Sequence, residues 1–238
     1  GMGGATFPTH VKLTFKPGAS CDTIIVNGVE CETHLTADHR LMLEKSTRII
    51  DGLRAVMRAL NVRRGVIAIE DNKPEAIQTM QKAALGREGV RIQPMKTKYP
   101  QGGEKQLIEA ITGRQVPTRG LPIDVHVVVL NVGTCAAIAD AVIDGKPLVS
   151  RVTTVTGCVR EPKNLRLRIG TIAEDAIGHC GGFAETPGKV FFGGAMTGIC
   201  LPNIAVPMAK STNGIVAFTE KESRAHEESP CLRCGRCV

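Results

Sequence analysis

Short apolar runs alternate with amphipathic stretches over the first 145 residues of the chain. Runs rich in β-branched residues predict buried strands, and apolar residues at steps of three, four or seven predict helices. The predicted strands are 22–28, 65–70, 90–95 and 125–130, and the predicted helices are 73–85, 103–111, 134–143 and one long helix from Thr36 onward with Met42, Ile49, Leu53, Val56 and Leu60 on its apolar face. This alternation indicates an α/β domain over residues 1–146, with a Rossmann-like parallel sheet.

The pattern changes after Lys146-Pro147, where strands become short and glycine and proline become frequent. We predict a small α+β domain over residues 147–222, with strands at 149–155, 165–169, 189–192, 204–206 and 214–218 and one helix near 172–177. Residues 223–238 are predicted to form a charged linker that leads into a cysteine cluster.

A glycine-rich turn opens the chain as Gly3-Gly4-Ala5-Thr6 and is followed by Lys12. Glycines allow backbone N–H groups to converge on one point, and a nearby lysine adds a full positive charge. The stretch therefore predicts an anion-binding loop, although neither GxxxxGK[ST] nor GxGxxG is present in it. The alternative is an N-terminal loop without a ligand.

Polar loops follow the predicted strands, where ligands bind in open α/β sheets. One begins at Asn27 and includes Glu30, and another begins at Asn131. Gly103-Glu104 begins a predicted helix, whose free N–H groups favour an anion. Ordinary turn chemistry is the alternative for each asparagine taken alone.

Charge and composition exclude some function classes. The net charge of +7 is spread along the chain, and aromatic residues make up only 3%, without tryptophan. Both features argue against nucleic acid as a partner, because nucleic-acid modules concentrate positive charge or stack bases on aromatic rings. No run of 18 apolar residues and no signal peptide is present, so we predict no membrane span.

Nine cysteines include a cluster at Cys231, Cys234 and Cys237. The odd count and the clustering favour a reducing compartment and a metal site. The C-x2-C-x2-C spacing is typical of [4Fe–4S] ligands, although the expected fourth cysteine and proline are missing. Half of a zinc ribbon is the alternative.

Five segments occur in an order that resembles the C subunit of the Rnf/Rsx electron-transport complex and, more distantly, the flavin-bearing subunit of respiratory complex I. They are GGATFPTHVKL, VNGVECETHLTADHRLM, KYPQGGEKQL, LNVGTCAAIADAV and SPCLRCGRCV. The resemblance implies that FMN accepts hydride from NADH and passes single electrons to iron–sulfur clusters. It also implies that the second domain is a β-grasp module of the soluble-ligand-binding (SLBB) kind.

The resemblance implies roles for particular residues. The expected FMN contacts are Gly3, Gly4, Lys12, Asn27, Glu30, Gly103, Glu104 and Asn131; those to NADH are Phe7, Phe15 and Glu32; and the cluster ligands are Cys231, Cys234 and Cys237. Core packing is the alternative for each phenylalanine. No catalytic side chain is expected, because the cofactor carries the chemistry.

Three positions depart from the pattern of these families. Thr6 replaces a glycine, Val29 an aspartate of the complex I relative and Lys105 a second glutamate. They leave open a non-redox ligand-binding or scaffold module with a decayed flavin site. A cobalamin-reductase-like or proline-reductase-linked paralogue also remains open, because its motifs are nearly the same.

The resemblance also implies partners and a cellular location for the chain. The implied partners are other subunits of a membrane-bound redox complex, ferredoxin-like carriers and NADH, with a cytoplasmic location on the inner face of the membrane. Because the chain starts inside the first motif, we expect it to be an excised fragment whose [4Fe–4S] ligand set is incomplete.

Overall fold

The computed structural model describes residues 1–224 and 230–235. Its first part, the parallel-sheet unit, contains four parallel strands in the spatial order β3–β2–β1–β4. These strands are β1 (Thr23–Gly28), β2 (Arg64–Glu70), β3 (Val90–Met95) and β4 (Val127–Asn131). The helices are α1 (Thr9–Lys12), α2 (Ala37–Glu44), α3 (Ser46–Ala59), α4 (Pro74–Ala84), α5 (Glu104–Thr112) and α6 (Val132–Asp144), and a short 3-10 helix (Pro122–Val125) precedes β4. The predicted α/β parallel sheet is confirmed.

Both faces of β1, β2 and β4 are buried, which explains why these three strands are mostly apolar, whereas the edge strand β3 keeps exposed residues such as Arg91. Ile24 and Val26 join a core with helices α2, α3, α4 and α6, whereas Ile25 points to the opposite face, where Leu107 and Ile108 of α5 cover it. The helices α3 and α6 lie very close together. A Cβ atom on Gly52 of α3 would overlap the carbonyl oxygen of Cys135 in α6.

The single long helix predicted after Thr36 is wrong, because the chain forms α2 and α3 with a break at Lys45. The backbone of Lys45 has φ −128° and ψ 26°, which is not helical. The break redirects the chain, so that α2 contacts the second sheet while α3 packs against α6. The apolar spacing continues across the break, because Met42 before it and Ile49 and Leu53 after it are all fully buried.

The second part, the mixed-sheet unit, has five strands in the spatial order β6–β5–β9–β7–β8. They are β5 (Ser150–Gly157), β6 (Lys163–Arg168), β7 (Pro187–Phe192), β8 (Ile199–Cys200) and β9 (Gly214–Thr219), accompanied by α7 (Ala173–His179) and α8 (Glu220–Ser223). The first and last strands pair in parallel and the remaining neighbours are antiparallel. This is the β-grasp arrangement, as predicted, with α7 covering a core around Val155 and Ile215.

The strand predicted at 204–206 is also wrong. This segment runs past the first turn of α7, where the carbonyl oxygens of Val206 and Ile204 accept hydrogen bonds from the N–H groups of Ala173 and Glu174. It therefore satisfies helix donors that have no partner within the helix. The edge strand of the sheet on this side is β8, which pairs with β7.

Direct contacts join the two units around the start of α2. The N–H of Thr36 donates to the Thr154 hydroxyl at 3.1 Å, and the Thr36 hydroxyl donates to Asn164 at 3.2 Å. The Leu35 side chain lies where a side chain on Gly214 would have to be. No helix within residues 1–224 and 230–235 is long and apolar enough to cross a membrane.

Candidate nucleotide-binding site

The glycine-rich loop packs against the end of β4. A Cβ atom on Gly3 would lie 2.6 Å from the Cβ of Asn131, so only glycine allows this approach. Gly4 has a φ of 52° and faces open space, and the turn is closed by a 3.0 Å hydrogen bond from the N–H of Thr6 to the carbonyl of Gly3. Thr6 itself has a φ of 51°, a conformation that β-branched residues rarely adopt.

Lys12 reaches from α1 into the sheet edge. Its Nζ donates to Glu104 at 3.1 Å and to the carbonyl oxygen of Val129 at 2.9 Å. Glu104 is the first residue of α5, and Gly103 is its N-cap. The structure thus brings Lys12 to Gly103-Glu104, although Lys12 and Glu104 are 92 positions apart in the sequence. Two of the three ammonium protons take part in these bonds, and the third can serve a ligand.

The end of β1 meets the turn before α5. Asn27 donates from Nδ2 to the carbonyl of Gly102 at 2.9 Å and accepts the N–H of Val29 on Oδ1 at 3.0 Å. The N–H of Gly102 in turn donates to the Cys31 sulfur at 3.3 Å. A Cβ atom on Gly102 would lie 2.5 Å from the carbonyl oxygen of Val29, so the close approach of these loops requires glycine.

Glu30 and Asp38 form a carboxylate pair at the start of α2. Glu30 is buried and accepts the N–H groups of Asp38 and His39 at 2.9 and 3.0 Å. Burial and then the charge of Asp38 raise the pKa of Glu30 to about 8. The pKa of Asp38 is also raised by burial. The two groups therefore hold a proton far more readily than exposed carboxylates do.

Asn131 connects this pair to the glycine-rich loop. Its Nδ2 donates to Asp38 at 2.6 Å, and its Oδ1 caps α6 by accepting the N–H of Gly133 at 2.8 Å. Both ends of the carboxamide are thereby fixed, with the Asn131 Cβ under Gly3. Asn131 and Asn27 both lie at strand ends, as the sequence predicts.

Two buried cations near the carboxylate pair were missed by the sequence reasoning. Lys73, at the N-cap of α4, donates to Glu70 at 2.7 Å, and both side chains are buried. Arg151 comes from β5 of the mixed-sheet unit. Two features of the sequence could have identified these cations. Charged residues lie directly after β2, and Arg151 alternates with Thr153 and Val155 on the buried face of β5.

The three residues predicted for NADH have different surroundings. Phe7 is 50% exposed beside the glycine-rich loop, whereas Phe15 packs against the main core. Glu32 reaches across to the loop between β7 and β8, where it accepts the Met196 N–H at 3.0 Å and the Thr197 hydroxyl. A side chain on Gly194 in that loop would collide with Glu32.

The predicted cluster ligands fall near the end of the chain. Cys231 and Cys234 are exposed, and Cys237 lies outside the described residues. Within residues 1–224 and 230–235 there is no group of three or more histidine, cysteine, aspartate or glutamate side chains placed to hold a metal ion.

The residues around the glycine-rich loop fit a flavin nucleotide. Gly3 and Gly102 lie where any Cβ would collide, and Gly4 turns into open space with a positive φ. Main-chain N–H groups, an ammonium and two carboxamides are the donors that phosphate and the polar edge of a ring system require. Their convergence at the carboxyl ends of β1 and β4 agrees with the general position of ligands in such sheets.

Comparison with known proteins identifies both units. The family model of the Nuo51 FMN-binding domain matches residues 1–140, and that of the SLBB domain matches residues 152–199. An NAD+-reducing [NiFe]-hydrogenase in the H2-reduced state has the same fold, with a TM-score of 0.76 at 20% identity over 91% of this chain and 44% of that chain.

Curated relatives match the whole chain at higher identity. The C subunit of the proton-translocating ferredoxin:NAD(+) oxidoreductase complex of Clostridium ljungdahlii is 52% identical, and its Na(+)-translocating counterpart of Acetobacterium woodii is 45% identical. The chain spans 52% and 54% of these two relatives, about half of their length. It belongs to the family formed by the C subunits of the ion-translocating ferredoxin:NAD(+) oxidoreductase complexes.

Proposed function

We propose that this chain is the flavin- and NADH-binding part of an Rnf-type NADH:ferredoxin oxidoreductase. The observation that carries the proposal is the convergence of the glycine-rich loop, Lys12 and Asn131 on one end of the parallel sheet. The family membership supports the same assignment. When bound, FMN would accept hydride from NADH and release electrons singly to iron–sulfur clusters.

The chain's own residues bind and orient the cofactor in this proposal. Gly3 and Gly4 would present N–H groups to the phosphate, and Lys12 would add the charge. The ring and the ribityl chain would be contacted by Asn27, Glu30, Gly103, Glu104 and Asn131. Because Lys12 is already bound to Glu104, its ammonium is held in place before the ligand arrives.

NADH is proposed to bind beside the exposed ring of Phe7, with Glu32 near the nicotinamide ribose. Of the two phenylalanines predicted for NADH, Phe7 has the accessible ring, because Phe15 packs against the core. Cys231, Cys234 and Cys237 are proposed as iron–sulfur ligands. Electrons would pass to other subunits and ferredoxin-like carriers of a membrane-associated complex on the cytoplasmic face.

Flavin titration tests the proposal. We expect the protein to bind FMN more tightly than riboflavin or FAD, measured by quenching of flavin fluorescence, because the loop and Lys12 select a terminal phosphate. Gly3→Ala should abolish the preference, since its Cβ would collide with Asn131. Gly178→Ala is the matched control, because nothing lies within 4 Å of the added methyl group. Equal affinity for riboflavin would contradict the phosphate assignment, and no flavin binding would favour the non-redox alternative.

A further inference from the structure

Arg151 extends from the mixed-sheet unit to the glycine-rich loop of the other unit. It is the second residue of β5 and is only 5% exposed. Its Nη1 donates to the carbonyl oxygen of Met2 at 3.0 Å and to that of Lys210 at 2.5 Å. A planar guanidinium holds such acceptors in a defined geometry, which a flexible ammonium does not.

Met2 is therefore held from both units. Its N–H donates to the Thr134 hydroxyl at 3.0 Å in α6, and its side chain is buried. Its carbonyl is the acceptor of Arg151. Since Gly3 follows immediately, these two bonds fix where the glycine-rich loop begins.

Arg151 also adds a positive charge near the carboxylate pair, and this charge lowers the pKa of Asp38. Burial lowers the pKa of Arg151, whereas the charges of Asp38 and Glu30 act in the opposite direction. The other nearby cation, Lys73, already forms an ion pair with Glu70 at 2.7 Å. Loss of the guanidinium charge would leave Lys73, which also pairs with Glu70, as the cation that acts on the two carboxyl groups.

A second route leads from Arg151 to the same loop. Asp38 accepts the Asn131 carboxamide at 2.6 Å, and the Cβ of Asn131 packs under Gly3. Asp38 therefore fixes the side chain on which the loop rests. The direct bond to Met2 and the hydrogen bond between Asn131 and Asp38 act on the same few residues.

We propose that Arg151 is a positioning residue of the flavin site, through which the mixed-sheet unit holds the Gly3–Thr6 loop in its binding conformation. This inference rests on the proposed function, since it concerns affinity for FMN. It adds a role for the mixed-sheet unit that does not require this unit to touch the flavin.

The test compares Arg151→Gln and Arg151→Lys with Arg168→Gln, an exposed arginine on the neighbouring strand β6. We expect Arg151→Gln to weaken FMN binding about tenfold or more and Arg151→Lys about threefold. Lysine keeps the positive charge but lacks the planar donor group that fixes the direction of the hydrogen bonds. Arg168→Gln should bind as the unmodified protein does. FMN affinity within twofold of the unmodified protein in both Arg151 variants would overturn the proposal.

A carboxyl titration followed by 13C NMR in the flavin-free protein separates positioning from a purely structural role. The groups that act on Asp38 are Arg151 of β5, Asn131 at the end of β4, Lys73 at the N-cap of α4 and the neighbouring carboxyl of Glu30. Arg151→Gln should move the Asp38 titration to higher pH, because the charge of Arg151 is the strongest influence that lowers the pKa of Asp38, and Arg151→Lys should leave it in place. If the carboxyl titration is unchanged in Arg151→Gln, the proposed effect of the Arg151 charge on the carboxylate pair is wrong.

Thr134→Val offers a test that does not depend on Arg151→Gln folding. It removes the other bond to Met2, so its effect on FMN affinity should combine with that of Arg151→Lys less than additively. Independent, additive losses would overturn the proposal. If the unmodified protein binds no FMN, the proposed function itself fails, and this is known before any variant is measured.

Discussion

Thr6 shows a conflict between a side chain and its backbone at the centre of the candidate site. Its φ of 51° lies in the left-handed region, where a β-branched residue is strained by about 1–3 kcal/mol. The sequence alone identified this position as a departure from a glycine pattern. The structure adds the conformation that makes the departure costly.

Replacing Thr6 by glycine is expected to tighten FMN binding. A larger fraction of the flavin-free loop would already have the binding conformation, which gives about a five- to hundredfold gain if most of the strain is recovered. Thr6→Asn should give a smaller gain, because asparagine tolerates positive φ. Calorimetric titration with FMN measures both; weaker binding in the glycine variant would indicate instead that the Thr6 hydroxyl contacts the flavin.

Glu30 should make the stability of the protein depend on pH. Its pKa in the folded protein is raised from 4.5 to about 8, so its contribution is fully present below about pH 4.5 and is lost as the pH rises to about 8. The glutamine of Glu30→Gln cannot titrate, so the free energy of unfolding of this variant should fall less steeply with pH. The decline that remains is the part due to Asp38. Urea unfolding at several pH values measures the free energy of unfolding. Glu75→Gln, an exposed acid on α4, is the control and should keep the original slope.

Whole elements were predicted well where one periodic pattern covered them. The strands β1 to β4 and the helices α4 to α6 were found within a few residues, because each buries a continuous apolar face. The break at Lys45 could not be predicted, since the apolar spacing is the same on both sides of it. Ile204 and Val206 resemble a strand in sequence, but their carbonyls are used by α7 instead.

The loop between β7 and β8 is expected to compete with NADH for Glu32. The Met196 N–H occupies one lone pair of Glu32 Oε2 and the Thr197 hydroxyl one of Oε1, so fewer acceptor sites remain for ribose hydroxyls. Thr197→Val removes one of these donors, so NADH binding to the FMN-loaded protein should tighten about three- to tenfold. Thr186→Val, at an exposed position of the same unit, is the control. Equal NADH affinity in the two variants would indicate that Glu32 does not contact the ribose.

At the scale of the whole molecule, local sequence predicted two domains and most of the polar residues at the strand ends. It did not predict which of them touch. The contacts of Lys12 with Glu104 and of Arg151 with Met2 join residues 92 and 149 positions apart. Such pairs leave no periodic signal, because each partner is placed by a different strand or helix.

Because Arg151 donates a hydrogen bond to Met2, neither unit can be replaced by that of another protein without loss of this contact. A β-grasp unit moved onto another protein would bring a guanidinium without acceptors on the new surface. A flavin unit given a different companion would lose the cation opposite Glu30 and Asp38. Arg151, Met2 and Asp38 therefore form one set of contacts and charges across the two units, and a chimaera that exchanges either unit has to keep its side of that set.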